Sequence, residues 1–273
     1  MTGQRVRRGI GGRIAVGFLT LVGLGALAAP WLATQPPHAQ LDLVTMAWQP
    51  PSLTHWLGTD SYARDLWSRL LFGARATVGI ALLAVAIALS VGTLLGALAA
   101  LAPRPLDALL MRTTDALLAT PRLLLLLLVV AGVGTLDTTW LAILIGATGW
   151  MPTARLVRQD AGRLLATPAL EGARALGVPW PRLLARHLLP SLAPSLAVAA
   201  TAAFAAAIPL ESGLSYLGLG VPAPTPSWGN LLAEAESQPL RHWWVIVFPT
   251  GMIVGTVLAA NTVANALERR WRG

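Results

Sequence analysis

Residues 167–190 read TPALEGARALGVPWPRLLARHLLP, a polar, arginine-bearing island between two long apolar segments. Thr167 followed by Pro168 predicts a helix start: the hydroxyl can accept a free backbone N–H, and proline in the first turn loses no hydrogen bond. Glu171 then falls in the first turn, at the positive end of the helix dipole. Gly177 predicts the end of this helix, because glycine takes the left-handed C′ conformation cheaply and Val178-Pro179 cannot extend the helix. Pro181 starts a second short helix and Pro190 closes it. The island is expected to be helix, glycine turn, helix.

Composition sets the surroundings of the island. The chain has 273 residues, of which 55% are hydrophobic and only 12% charged, with a mean hydropathy of +0.63. A soluble domain carries about twice that charge. There is no cysteine, which excludes a disulfide, a thiolate nucleophile and a Cys-ligated metal. All twenty cationic residues are arginine. Without lysine there is no Walker A phosphate loop, so any ATP that drives the protein is bound by another chain. The net charge of +8 does not read as nucleic-acid binding, because the arginines sit between apolar spans instead of forming one basic face with interleaved aromatics.

Working outward toward the N-terminus, Arg5, Arg7, Arg8 and Arg13 precede an uncharged segment from Ile14 to Leu32, long enough to cross a bilayer. It reads as a retained first span, since it is longer than a signal-peptide core and proline follows Ala28-Ala29. Residues 34–75 are polar and turn-rich, too short for a domain with its own core. They read either as a solvated loop or as an external segment packed on a partner, with Asp60, Arg64 and Asp65 able to pair within a turn or two. Ala76 to Pro103 is a charge-free second span, and Gly92 and Gly96 give the GxxxG spacing that lets another helix approach closely. Residues 103–121 read as an amphipathic surface helix leading into a third span, Leu123–Val133, which is too short alone and must borrow residues upstream of Arg122. Asp115, three positions from Arg112, reads first as an interfacial ion-paired group and second as a functional intramembrane carboxylate. A fourth span runs from Thr138 to about Ala154, with Pro152 as its kink or exit.

Beyond the island, Leu192–Leu210 is a fifth span of small residues suited to close packing, ended by Glu211. Glycines and prolines forbid a regular helix over residues 213–226. Ser227-Trp228-Gly229-Asn230 opens a short amphipathic helix to about Gln238, with Trp228 as an interfacial anchor. The sixth span runs from Trp243 to Leu267. With the N-terminus inside, the internal segments hold sixteen arginines: four at the N-terminus, three from Arg104 to Arg122, six in the central loop and three at the C-terminus. The external segments hold four, so the positive-inside rule places the island in the cytoplasm. The fold class expected is an all-α polytopic membrane protein with six transmembrane helices.

Glu171-Gly172-Ala173, Gly177 six positions after the glutamate, and Leu189-Pro190 resemble the EAA loop of bacterial ABC-importer permeases. Gly58–Arg75 (GTDSYARDLWSRLLFGAR) and Glu211–Ala235 (ESGLSYLGLGVPAPTPSWGNLLAEA) are similar to the second permease subunit of the peptide/nickel importer family. Gly172 stands where that pattern has alanine, and Ala63 where it has glycine. The resemblance implies the type I importer permease fold. It implies an N-terminal cytoplasmic tail and first helix over 1–33, an external segment over 34–75, a five-helix core over 76–267 and a cytoplasmic tail over 268–273. Within the core it implies a coupling loop at about 155–190 and an external loop at about 211–241. The coupling residues it implies are Glu171, Gly172, Ala173, Gly177, His187, Leu189 and Pro190, and the external motif is Gly58, Thr59, Asp60, Arg64 and Asp65. It further implies a homologous permease as heterodimer partner, two ATP-binding subunits, an extracytoplasmic solute-binding protein and an inner-membrane location. The implied cargo is peptides, nickel or a metal chelate. No cofactor belongs to this chain.

Two other function classes were weighed against the residues. A stand-alone secondary transporter needs coupling sites in broken helices near the midplane and carries intramembrane acidic or His residues; the long charge-free spans argue against it. An intramembrane enzyme has no Ser-His-acid grouping or ligand pair to use, since His38, His55, His187 and His242 are scattered over loops. His187 reads as a helix-packing residue.

Overall fold

A computed structural model describes residues 2–134, 136–235 and 241–272, and among them the regular structure is helical, with no strand. The N-terminal helix α1 (Thr2–Leu27) is followed by two short helices, α2 (Ala29–Leu32) and α3 (Leu43–Met46). The long helix α4 (Leu66–Leu101) precedes α5 (Arg104–Ala119), α6 (Arg122–Val133), α7 (Thr138–Ala147) and α8 (Met151–Leu165). The island contributes α9 (Pro168–Ala175) and α10 (Trp180–Leu183), and α11 (Leu189–Tyr216), α12 (Trp228–Glu234) and α13 (Trp243–Arg272) complete the chain.

Among the described residues three stretches are long and apolar enough to cross a membrane, 66–101, 180–216 and 243–271, or up to five if each bent pair α5–α6 and α7–α8 is one span. The shorter apolar helix Gly11–Leu27 stands where the first of the six expected spans was placed. Helix α4 is the axis of the bundle, packed against α1, α7, α8 and α11, while α13 lies against α1, α11 and α12. The main core joins α4, α7, α11 and α13 through Leu70, Ala81, Leu141, Ile208 and Val245. A second, smaller core of Ala97, Val157, Ala161, Leu165, Leu170, Leu183, Leu188 and Leu192 lies under the island.

Local chemistry sets several boundaries differently from the sequence reading. Helix α4 begins at Leu66, ten residues before the charge-free stretch, because Asp65 caps it by accepting the Ser68 N–H at 2.9 Å. The third span is not a straight continuation of α5. Pro121 breaks the chain and α5 meets α6 at 86°, leaving α6 with 12 residues, about 18 Å of helix. Gly134 (φ +88°) ends α6, and the Asp137 side chain caps α7 through the Trp140 N–H at 2.8 Å. Helices α7 and α8 meet at 43°, with Pro152 in the first turn of α8.

Pro190 does not close the island. It sits in the first turn of α11, and a π-helical turn over Leu184–Leu188 runs α10 into α11 without a break; the Leu189 N–H reaches back to the Leu184 carbonyl. Widening by one residue is how a helix accommodates a proline whose missing N–H would interrupt its ladder. Nor does Glu211 end the fifth span: α11 continues through Gly213 to Tyr216, with Glu211 fully buried inside it. Trp228 is not an interfacial anchor. It has no exposed surface, and its indole N–H donates to the Leu70 carbonyl at 3.2 Å. Helix α12 ends at Glu234, and the expected extension to Gln238 lies outside the described residues.

The Gly92 and Gly96 pair does what its spacing predicts. A Cβ on Gly92 would lie 2.6 Å from the Thr153 Cβ, and one on Gly96 2.4 Å from the Ala154 carbonyl, so α8 packs directly on the glycine face of α4.

Candidate functional site: the island and the external lock

The island folds as two short helices around a glycine. Helix α9 starts with the Leu170 and Glu171 N–H groups donating to the Thr167 carbonyl, at 3.0 and 2.9 Å. The Thr167 hydroxyl donates back to the Leu164 carbonyl at 2.6 Å, so it is not the cap expected of it. At the other end, the Val178 N–H reaches the Ala173 carbonyl at 3.1 Å across Gly177, whose φ is +75°. That six-to-one bond is a Schellman closure, and it requires the left-handed residue at Gly177. The closure aims α10 back toward the small core, where Leu183 and Leu188 are buried.

Leu170, Leu183 and Leu188 anchor the island inward, with Ala173, Val178 and Leu184 packed beside them. Glu171, Gly172, Gly177, His187, Leu189 and Pro190 are exposed, and Ala173 is half-buried. His187 is therefore not a helix-packing residue, because its turn of helix packs through Leu183 and Leu188 instead. A Cβ on Gly172 would meet open space, so nothing there demands glycine. The sequence reading missed Leu176 and Trp180, which flank the Gly177 turn with 86% and 47% of their surface exposed. Two apolar side chains held out at a tight turn are the chemistry of a contact point; the signal was the apolar character of the residues beside the turn.

Ion pairs fix the island's base to the surface helix α5. Arg158 holds Asp107 through two contacts, 3.0 and 2.5 Å, and Arg155 pairs with Asp115. Asp115 thus pairs across helices and not with Arg112, because the bend at Pro121 turns α5 alongside α8. Asp115 and Arg155 are more than half exposed, which marks an interfacial pair and not a buried functional carboxylate.

Gly58, Thr59, Asp60, Arg64 and Asp65 form a lock within their own chain. Asp60 has no exposed surface and accepts the Tyr62 and Arg64 backbone N–H groups at 2.8 and 2.9 Å, the Arg64 Nε at 2.8 Å, and Arg69. Arg64 and Arg69 both reach Glu234 of α12, at 2.6 and 2.9 Å. Asp65 accepts from Ser68 and Thr34 and contacts His55 at 3.0 Å. Thr59 donates its hydroxyl to the Met46 carbonyl, and its own carbonyl takes the Trp244 indole N–H at 3.2 Å. Gly58 (φ +82°) is required twice over, since a Cβ there would sit 2.5 Å from the Gln49 carbonyl. Ala63 is also left-handed, at φ +55°, where glycine is the unstrained choice. At Thr59, Asp60 and Asp65 the segment 34–75 is thus not a solvated loop: these residues are buried where it closes over α4, α12 and α13.

Behind the lock, the buried Glu211 carboxylate accepts from Ser215 Oγ at 2.7 Å and lies against the hydroxyls of Thr77, Ser212 and Ser227. No group of three His, Cys, Asp or Glu side chains that could hold a metal occurs among the described residues.

Residues 92–273 match the family model described as binding-protein-dependent transport system inner membrane component. Three relatives extend the similarity to the rest of the chain. A provisionally named peptide transport system permease protein of Brucella suis is 37% identical over 270 residues, 98% of this chain and 89% of the relative. A second provisionally named peptide permease of that organism is 36% identical over 241 residues, covering 87% and 78%. The di/tripeptide transport system permease protein DppC of Pseudomonas aeruginosa is 37% identical over 257 residues, covering 92% and 84%.

Proposed function

Because the chain belongs to the binding-protein-dependent transport system inner membrane components, a family of ABC-transporter permeases and not of enzymes, we propose that it imports peptides as one of two membrane subunits. An external binding protein delivers the cargo, and ATPase subunits bound to the island drive its passage. The relatives' names point to peptides, and nothing in them points to nickel. The pathway forms between this chain and a homologous permease. The termini and the island are cytoplasmic, a placement the arginine asymmetry supports, and the lock faces outward.

The observation that carries this reading is the continuity of the island with a span. Trp180–Tyr216 runs as one 37-residue helical stretch, so a force applied at the Gly177 turn is transmitted along a rigid element into the bundle. Exposed Glu171, Gly172, His187, Leu189 and Pro190, with Leu176 and Trp180 at the tip, form the surface that seats on the ATPase. The lock residues Gly58, Thr59, Asp60, Arg64 and Asp65 hold the external end rigid while the cytoplasmic end moves.

Reconstitution tests the reading. The chain purified alone is expected to hydrolyse no ATP; co-assembled with its second permease and ATPase subunits in proteoliposomes, it is expected to import peptide only with ATP inside and the binding protein outside. Hydrolysis by the chain free of other subunits, or peptide uptake driven by an ion gradient without ATP, contradicts it.

A further inference from the structure

Arg13 and Arg270 are cations that neither the island nor the lock uses, and they meet at one groove. The groove, of about 380 Å³, runs between α1 and α13 and is lined by Arg13, Val16, Val263, Ala266, Leu267 and Arg270. On α13 the four lining residues follow helical spacing, so they form one stripe that is apolar along its length and cationic at its end. On α1, Arg13 stands one turn before Val16. A Cβ on Gly12 would lie 3.7 Å from the Ala266 Cβ, which sets the two helices side by side here. Beyond Val16 they close on each other, since a Cβ on Gly255 would lie 2.9 Å from the Phe18 ring. The groove is open at its charged end and shut at its apolar end.

Two spans fix the level of the groove independently. Arg13 immediately precedes the charge-free stretch Ile14–Leu32, and Arg270 follows the charge-free stretch Trp243–Leu267 by three residues. Because these two ends lie against each other, both guanidiniums stand at the same boundary between hydrocarbon and headgroups. Their charge is not answered within the chain. Both side chains are exposed, and among the described residues no carboxylate forms an ion pair with either. Glu268, the acid nearest to Arg270 in sequence, lines a different cleft, with Leu156 of α8 and Ser195 of α11.

We infer that the groove between α1 and α13 binds an anionic phospholipid, its phosphodiester bridging Arg13 and Arg270 and one acyl chain lying on Val16, Val263 and Leu267. Two guanidiniums are the donor set that phosphate oxygens accept in parallel, charge-assisted bonds. Basic pockets between helices at this boundary are where anionic headgroups are held. The apolar stripe selects a lipid over free phosphate: from Arg270 to Val263 it runs seven residues, about 10 Å, along which a soluble anion has nothing to place. Once bound, the lipid clamps the start of α1 to the end of α13.

The test uses the full chain purified in detergent with the subunits that accompany it, given equal amounts of phosphatidylglycerol and phosphatidylethanolamine and weighed by native mass spectrometry. Phosphatidylglycerol is expected to be retained over phosphatidylethanolamine by about tenfold. Arg13→Gln and Arg270→Gln should each lower that retention about fivefold. Val263→Trp, which fills the groove and leaves both charges in place, should lower it by a similar factor, about fivefold. Arg269 does not line the groove, so Arg269→Gln should change nothing. Glycerophosphoglycerol, the headgroup without its chains, should not displace the lipid at millimolar concentration. Equal retention of the two lipids, an equal loss in Arg269→Gln, or unchanged retention in Val263→Trp or in both groove arginine variants overturns the inference. Displacement by the chain-free headgroup overturns it too, by reducing the site to one for soluble anions. So does a complex that retains no phosphatidylglycerol and has both arginines shielded from phenylglyoxal by another subunit, which gives the groove to that subunit.

Discussion

Replacing Asp60 by asparagine probes the external lock with almost no change of shape. The carboxylate serves four donors, two on each oxygen: the Tyr62 and Arg64 backbone N–H groups on Oδ1, and Arg64 Nε and Arg69 on Oδ2. Asparagine has one oxygen, so its NH₂ must face either two backbone donors or two guanidinium groups. The Arg69 side chain is 3% exposed and keeps only Glu234 as counter-charge, while its Nε already lacks a hydrogen-bond partner. Breaking a buried, fully hydrogen-bonded ion pair on one side costs about 3–5 kcal/mol. Glu234→Gln is the control: its side chain is 24% exposed, Asp60 still bonds both arginines, and water can take the vacated positions and screen the remaining positive charge, for a cost of about 1 kcal/mol. Thermal midpoints of the detergent-solubilised protein, followed by tryptophan fluorescence, separate the two at about 2–4 °C per kcal/mol. Asp60→Asn should fall by about 6 °C or more and Glu234→Gln by less than half of that. Equal small shifts for both would refute the claim that Asp60 is the buried centre of the network.

Gly96→Val should separate α4 from α8 and lower stability by about 1–3 kcal/mol, because its Cβ meets the Ala154 carbonyl at 2.4 Å, whereas Gly79→Ala, which meets nothing within 4 Å, should be neutral or stabilising; membrane abundance and thermal midpoint read both. Burial, and after it the positive charge of Arg241, holds His242 below its ordinary 6.5. The neutral ring stacked on Trp48 at 4.3 Å therefore contributes fully above pH about 6.5, and that contribution is lost as pH falls through the lower folded value. Tryptophan fluorescence should change reversibly over that window and lose the change in His242→Gln. Since the chain has no cysteine, Leu53→Cys, 97% exposed in the native residue, should react with an impermeant maleimide on intact cells, and exposed Ala166→Cys only after permeabilisation; the reverse pattern would invert the topology.

The island was legible because its signals are local: a proline-led first turn and a glycine followed by Val-Pro specify helix, turn and helix within a few residues. The GxxxG pair on α4 was legible for the same reason, as a property of one helix face. What escaped depends on partners distant in sequence. Trp228 is an interfacial residue by composition and a core residue by contact, since its pocket is built from Leu70 and Gly73 some 155 positions earlier. Asp60 and Arg64 were readable as a nearby pair, but Glu234, which completes their network, lies 170 residues from Arg64. Glu211 looked like a helix end because a carboxylate usually leaves the membrane there; four hydroxyls from α4, α11 and the external loop hold it inside. Pro190 looked like a stop, and the π-helical turn that absorbs it has no composition of its own. Ala63 carries the opposite lesson: a small residue for a small residue in sequence, it occupies a left-handed position where the two are not equivalent.

If the island is the coupling element, the Gly177 turn holds the ATPase to the membrane. Gly177 has φ +75° and open space around it, so Gly177→Val strains the Schellman turn by about 1–2 kcal/mol and re-aims α10 without disturbing the bundle. The measurement is the amount of ATPase subunit recovered per permease from membranes in which wild-type and Gly177→Val chains insert at equal abundance. A fall of about tenfold or more is expected in Gly177→Val. Recovery equal to that of the wild type would contradict it.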